Sequence, residues 1–423
     1  MIMRRLSYYL AAGFLSLALS SCLQDTCESE RRYVRYDPVY ISASELRTSI
    51  TPEEPRVLEN PGKIYSYGRY LFINEPNQGI HIFDNADPAA PQAISFLAIP
   101  GNIDLAVQNG LLYADSYVDL VVFDLSDPAQ PRMVGRTESV FPALGEDPEQ
   151  GIITEFKETS IVETFPCTGD QGNWFWRNDA LFVDVAFGAM AEASAGAAPT
   201  PNQVGVGGSL ARFTIGFNRL YTVSEHDLKV FSLDEPRNPD LLETVNIGWG
   251  IETIFPYGEH LFIGSRNGMH IMDASNPDAP QYVSTFWHTN ACDPVFIDGD
   301  IAYVTLRDGT ECETFANQLD VVDISELTDP RLLRTYPMHH PIGLSVRDEY
   351  LYLCDDEEGL KVFDASDPQL VGERLLRQLK TLNAVDIIAL PGRPVIMVIG
   401  RDGLYQFDIQ TPDDPQLLSV IST

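Results

Sequence analysis

The chain has 423 residues, with 61 acidic against 28 basic side chains and a formal net charge of −33 at pH 7. Nucleic acid and anionic lipid are excluded as partners, because both are polyanions that such a surface repels. A repeat array reaches this length without one large core, and no segment beyond the N-terminal apolar run is apolar enough to span a membrane.

Residues 1–21 read as a secretory signal. Arg4 and Arg5 precede an apolar run from Leu6 to Leu19, too short for a spanning helix, and Ser20 and Ser21 lead to Cys22. Small residues that stop at a cysteine resemble the lipobox of bacterial lipoproteins; an ordinary signal peptide with an incidental cysteine is the alternative. The resemblance implies that Cys22 is lipidated and becomes the mature N-terminus. By the same resemblance, Leu23 rather than Asp after the cysteine implies the outer membrane, with the side it faces left open. Residues 22–59 then read as a linker, and membrane contact is through the lipid alone. Export places Cys27, Cys167, Cys292, Cys312 and Cys354 where disulfides form, and their odd number leaves a thiol over.

From residue 60 a short phrase recurs seven times: an apolar strand ending in Phe-Asp or its equivalent, then Asp-Pro. The Phe-Asp position falls at 84, 124, 232, 273, 323, 364 and 408, mostly about 40–50 residues apart, the spacing of a propeller blade. In the first repeat, Ile64–Tyr67, Tyr70–Asn74, Ile80–Phe83 and Ala93–Ile99 read as strands separated by turn residues. Four short strands make a sheet too small to bury its own faces, so successive sheets must pack together. Phe83, Phe123, Phe231, Met272, Val322, Phe363 and Phe407 should occupy equivalent third-strand positions. The Asp-x-Ser-Asp-Pro element reads as turn chemistry: its side chains bond nearby amides and Pro presets φ.

The phrases resemble the LVIVD repeat family, most closely at Val121-Val122-Phe123-Asp124 and Leu319-Asp320-Val321-Val322-Asp323-Ile324. Phe231-Ser232 departs by lacking the Asp, and the turn after Asp364 lacks the second Pro. The resemblance covers about residues 60–423 and implies a bacterial β-propeller, a fold often carried on lipoproteins with no activity general to the family. The expected architecture is all-β: a monomeric seven-bladed β-propeller of four-stranded antiparallel blades, with one long insertion between blades two and three. That insertion, about 137–208, holds Trp174 and Trp176, a strand Ala180 to Val185, and an Ala-, Gly- and Pro-rich stretch from Gly188 to Gly208 expected to be a mobile loop. The strand could begin a degenerate eighth blade, although no third-strand phrase follows it.

In a four-stranded meander, the loop between strands two and three lies at the same end as the connection to the next sheet. This upper end should collect the unusual residues. Lys63, Asp104, Arg212, Glu252, Asp293 and Asp386 recur at or just before each innermost strand, so they should converge near the mouth of the central channel. Such a ring is either a solvated salt-bridge lining or a site for a polar ligand or hard cation such as calcium. His288, His339 and His340 share the inter-blade connections and are weak candidates for a transition metal, since no metal-ligand spacing supports them. Cys292 and Cys312 both map to the upper end of blade five, where a disulfide between them would add about 3 kcal/mol. Cys354 reads as a buried thiol, and Cys27 and Cys167 are left to pair by elimination. The second-strand tyrosines Tyr70, Tyr113, Tyr221, Tyr303 and Tyr352 read as packing residues. Gly205-Val206-Gly207-Gly208 lacks the strand–helix context of a dinucleotide loop, and no nucleophile elbow or Walker loop is present. The functional expectation is a binding or scaffolding module for an envelope protein or glycan, with Trp174 and Trp176 on its partner surface. A lyase or hydrolase at the channel mouth, or a purely structural envelope subunit, are the alternatives.

Overall fold

Each repeated phrase builds the third strand and following turn of a four-stranded antiparallel sheet. In the computed structural model, which describes residues 28–48, 50–166, 204–288, 294–308 and 316–423, seven such meanders occupy 64–98, 105–137, 213–246, 251–287, 295–337, 344–379 and 384–422. The first carries two extra strands: Val206–Gly207 on its inner edge and Thr51–Glu53 on its outer edge. Helix is confined to Ala43–Thr48 and a 3₁₀ turn at Pro368–Glu373 among the described residues.

The turn chemistry is identical in all seven sheets. The side chains of Asp84, Asp124, Ser232, Asp273, Asp323, Asp364 and Asp408 each accept from the backbone N–H two residues on, at 2.7 to 3.2 Å. Ser232 thus does with a hydroxyl what the other six do with a carboxylate. A bulge in the pairing of strands three and four recurs at the same place, for example between Ile82 and Phe83 and between Gln406 and Phe407. The seven third-strand residues from Phe83 to Phe407 are all buried.

Apolar clusters fill the space between consecutive sheets. Tyr221 and Val230 of sheet three meet Ile254 and Met272 of sheet four, and Tyr352 of sheet six meets Ile396 and Phe407 of sheet seven. Leu71 and Phe83 of sheet one share a cluster with Met397 and Leu404 of sheet seven. Polar ties follow the same order: Ser95 donates to Pro128 O, Tyr221 to Pro277 O and Ser284 to Leu327 O, each reaching the Asp-Pro turn region of the next sheet. Ser419 of sheet seven makes that bond to Pro88 O of sheet one. Tyr113, Tyr221, Tyr303 and Tyr352 are buried, in keeping with packing roles.

Residues read as a linker are partly structured. Glu28–Ile41 forms a strand beside Gly151–Pro166, which also pairs with Glu146–Asp147. Residues 28–40 and 153–166 belong to a small separate unit. There Tyr33 donates to Glu163 at 2.9 Å and Thr159 to Asp37 at 2.8 Å, while Val34, Tyr36 and Val162 stay exposed. The long strand Gly151–Pro166 had a signal in its β-branched and aromatic content that the interrupted repeat obscured. Cys22, Cys27, Cys167, Trp174, Trp176, the strand expected at 180–185, Cys292, Asp293 and Cys312 lie outside the described residues.

The stretch expected to be a mobile loop needs a correction at its C-terminal end. Val204 bridges Gln108, Gly205 N–H donates to Val107 O at 2.9 Å, and Gly208 N–H donates to Ile64 O. Ser209 donates from both N–H and hydroxyl to Asp386 Oδ1, at 2.8 and 2.7 Å, and accepts from Leu344 N–H at 2.7 Å. Leu210 and Ala211 pack on Ile342, and Ala211 O accepts from Ile254 N–H at 2.8 Å. Residues 204–211 therefore thread among the inner strands of sheets one, two, four, six and seven before sheet three begins. Glycine is required here by crowding. A Cβ at Gly205 would lie 2.1 Å from the Tyr65 ring, and one at Gly208 would lie 1.8 Å from Asp386 Oδ2. Below this plug, toward the hairpin turns, a cavity of about 310 Å³ is lined by the first strands of sheets six and seven.

Candidate functional site: the upper end of the sheets

Of the polar positions counted from the sequence, Lys63, Asp104 and Arg212 are bonded to one another, and Asp293 lies outside the described residues. Lys63, Asp104 and Arg212 immediately precede the first strands of sheets one, two and three. Lys63 Nζ pairs with Asp104 Oδ2 at 3.1 Å, with both side chains buried. The same oxygen accepts from Arg212 N–H and Phe213 N–H at 2.6 and 3.0 Å, while Asp104 Oδ1 accepts from Leu105 N–H. Burial pulls the Lys63 pKa down, and the Asp104 carboxylate opposes that pull. Asp386 is committed to Ser209 and the plug. Two of the ring's carboxylates thus hold backbone in place, which a bare count of acids could not reveal.

A related device recurs where the chain enters a first strand. Glu75 accepts from the N–H groups of Glu59 and Asn60, Asp115 from those of Ile103 and Asp104, and Asp355 from those of His339 and His340. Each carboxylate comes from the end of a second strand and clamps its own sheet's incoming segment. Burial outweighs these donors at Asp115 and pushes its pKa up to about 6. Glu75 also bonds the third-strand His81 at 3.1 Å, and Asp355 pairs with the third-strand Lys361.

Glu252 is different. It sits in the first strand of sheet four, is 5% exposed, and answers to three guanidinium groups, those of Arg307, Arg212 and Arg266. Burial raises its pKa and the three cations oppose the rise. Arg266 Nε meets Glu252 Oε1 at 3.3 Å, and its guanidinium lies 4.8 Å from the centre of the Trp249 ring. Trp249 is 59% exposed in the connection between sheets three and four, and Trp287, 64% exposed, ends sheet four at the same end. An indole face, a guanidinium and a buried carboxylate are thereby stacked from solvent inward. Arg266 and Arg307 follow second strands, outside the positions at or just before first strands that the repeat makes countable. Arginine at the upper end of a strongly acidic chain was the available signal.

The histidines do not gather. His340 Nε2 bonds Asp308 O at 3.0 Å, and the Asp356 carboxylate raises the His340 pKa, whereas His288 lies near Phe286. Among the described residues no group of three or more His, Cys, Asp or Glu is placed to hold a metal ion. Cys354 is fully buried at the end of its strand.

Residues 103–138, 253–287, 290–337 and 342–373 match the LVIVD repeat, and each stretch coincides with one sheet. No curated protein matches the chain. Among solved structures, a Lactobacillus plantarum protein is 12% identical over 86% of this chain and 96% of its own, with a TM-score of 0.54. A periplasmic gluconolactonase of Pseudomonas aeruginosa is 11% identical over 85% and 96%, at 0.53. A functionally unknown Desulfotomaculum acetoxidans protein is 11% identical over 85% and 95%, at 0.51. Identities this low speak to the fold alone. With four matched repeats set on four of seven like sheets, the chain is an LVIVD repeat-containing protein with a β-propeller-like fold.

Proposed function

We propose that the seven sheets are the blades of a closed propeller that serves as a binding or scaffolding module at the cell envelope, held there by lipid on Cys22. Its partner, an envelope protein or glycan, docks on the upper end. One observation carries this reading: the exposed Trp249 and Trp287 and the arginine-ringed Glu252 occur at that end, while the opposite end repeats one turn seven times. Recognition concentrates in loops on a rigid scaffold, and exposed aromatics beside arginine make strong anchors. Closure is supported by the Ser419–Pro88 tie and by the cluster shared between sheets one and seven.

Photo-cross-linking in intact cells tests the docking face. A photoreactive residue at position 249 or 287 should give a discrete adduct, and one at Ala86 or Ser275 should give none. Equal adducts from both ends would reject the upper face. Cys22→Ala should move the protein out of the membrane fraction, and unchanged fractionation would reject the anchor. Peptide mapping without reduction should link Cys292 to Cys312, whereas two alkylatable thiols there would refute that bridge.

A further inference from the structure

Arginine stays protonated at any accessible pH, so a buried guanidinium N–H without an acceptor is costly and calls for an explanation. Arg212 Nε and Arg307 Nη1 are such groups: both atoms are buried and neither has a hydrogen-bond partner. They are not scattered. Both guanidiniums act on Glu252, as does that of Arg266, in a chain whose net charge is −33. Among the described residues, two further acids of this end are engaged elsewhere. Asp104 is matched by Lys63 and three amides, and Asp356 is taken by Arg401 and His340. The two unpartnered donors belong to cations, so the group they call for is an anion.

The geometry points to an oxyanion site: Arg212, Arg307 and Arg266 receive a carboxylate or phosphate group of a small ligand, and Trp249 offers its face to the ligand's body. Guanidinium donors match both oxyanions in shape and charge. Glu252 holds the three cations together while the site is empty and competes with the ligand for them. This inference rests on the upper-face reading and names what that face recognises.

Calorimetric titration of the mature chain at low chloride tests it, with inorganic phosphate and benzoate as separate probes. At least one should bind saturably, and the preferred probe identifies the source of the oxyanion. Arg212→Gln and Arg307→Gln should each weaken binding about tenfold or more, the scale of one charge-assisted hydrogen bond. Glu252→Gln should strengthen it, and Trp249→Leu should weaken benzoate more than phosphate. Arg237→Gln, at the opposite end, should change nothing. Melting curves show which variants are folded, and Glu252→Gln remains decisive even if an arginine variant fails to fold. Binding of neither probe, insensitivity to both arginine changes, or weaker binding in Glu252→Gln would overturn the inference. If the probes fail while cross-linking from positions 249 and 287 persists, the oxyanion site falls and the upper face stands. If the probes bind and cross-linking fails, the reverse holds.

Discussion

The two ends of the sheets use polar residues in opposite ways. At the lower end, one Asp or Ser per sheet closes a turn onto an amide two residues away, seven times over. At the upper end the sheets differ: Glu75, Asp115 and Asp355 clamp incoming backbone in three of them, Asp104 takes a lysine and the start of another sheet, and Glu252 meets three arginines. Local bonds can be copied from repeat to repeat because they need nothing from the neighbouring sheet. Bonds between sheets depend on which sheet is opposite, so they diverge. The end that diverges is the end free to acquire recognition.

The sharpest way to break this comparison is to remove a long-range pair. Lys63→Met leaves Asp104 buried without its cation, and removing one member of a buried pair costs about 3 to 4 kcal/mol. Retained amide donors put the outcome at the lower figure. A chemical denaturation midpoint unchanged from wild type would mean that the upper pairs are decoration. Gly205→Val comes next, at about 2 to 3 kcal/mol, because the new side chain collides with Tyr65 and with Ser66 O. Gly68→Ala is its lower-end counterpart. That glycine has φ +60 in open space, so only backbone strain opposes the change, about 1 kcal/mol. Equal losses from the two would show that the plug is not anchored.

How much of this was legible in sequence follows from the same division. The turns were readable because Asp, Ser and Pro act on their own neighbours, and their spacing announced the sheets. Lys63, Asp104, Arg212, Glu252 and Asp386 could be placed at one end by counting from strands. Their partners could not. Asp104 bonds Phe213, far along the chain, and Asp386 bonds Ser209 across the fold. Gly205 to Gly208 has the composition of a linker, and only the crowding by Tyr65 and Asp386 shows why glycine stands there. Composition describes what a segment can do unaided; burial against distant residues decides what it does.

Asp115 gives the comparison a pH dependence. Its folded pKa of about 6 lies above that of an unfolded aspartate, about 3.9, so the folded state holds the proton more tightly. The stabilisation from that proton is complete below about pH 4 and is lost as pH rises through 6. Asp115 as a residue is half-buried, which limits the effect to about 1 to 2 kcal/mol. Asp115→Asn should therefore gain stability relative to wild type as pH rises from 4 to 7, read as the difference in Tm. A difference independent of pH would remove the buried charge from the account.

The smallest expected effect is the most discriminating for the lower end. Asp273→Ala removes one side-chain bond to Ser275 N–H in a solvent-accessible turn and should lower Tm by less than Gly68→Ala does. Asp323→Ala removes the equivalent bond to Ser325 N–H in the fifth sheet and should cost the same. Agreement between two sites in different sheets is the signature of a local interaction, since nothing around either turn enters the energy. A double variant should show additive losses, because the two turns share no partner. Unequal or coupled losses would mean that the lower turns sense their neighbours, and uniformity at that end would then need a reason other than local chemistry.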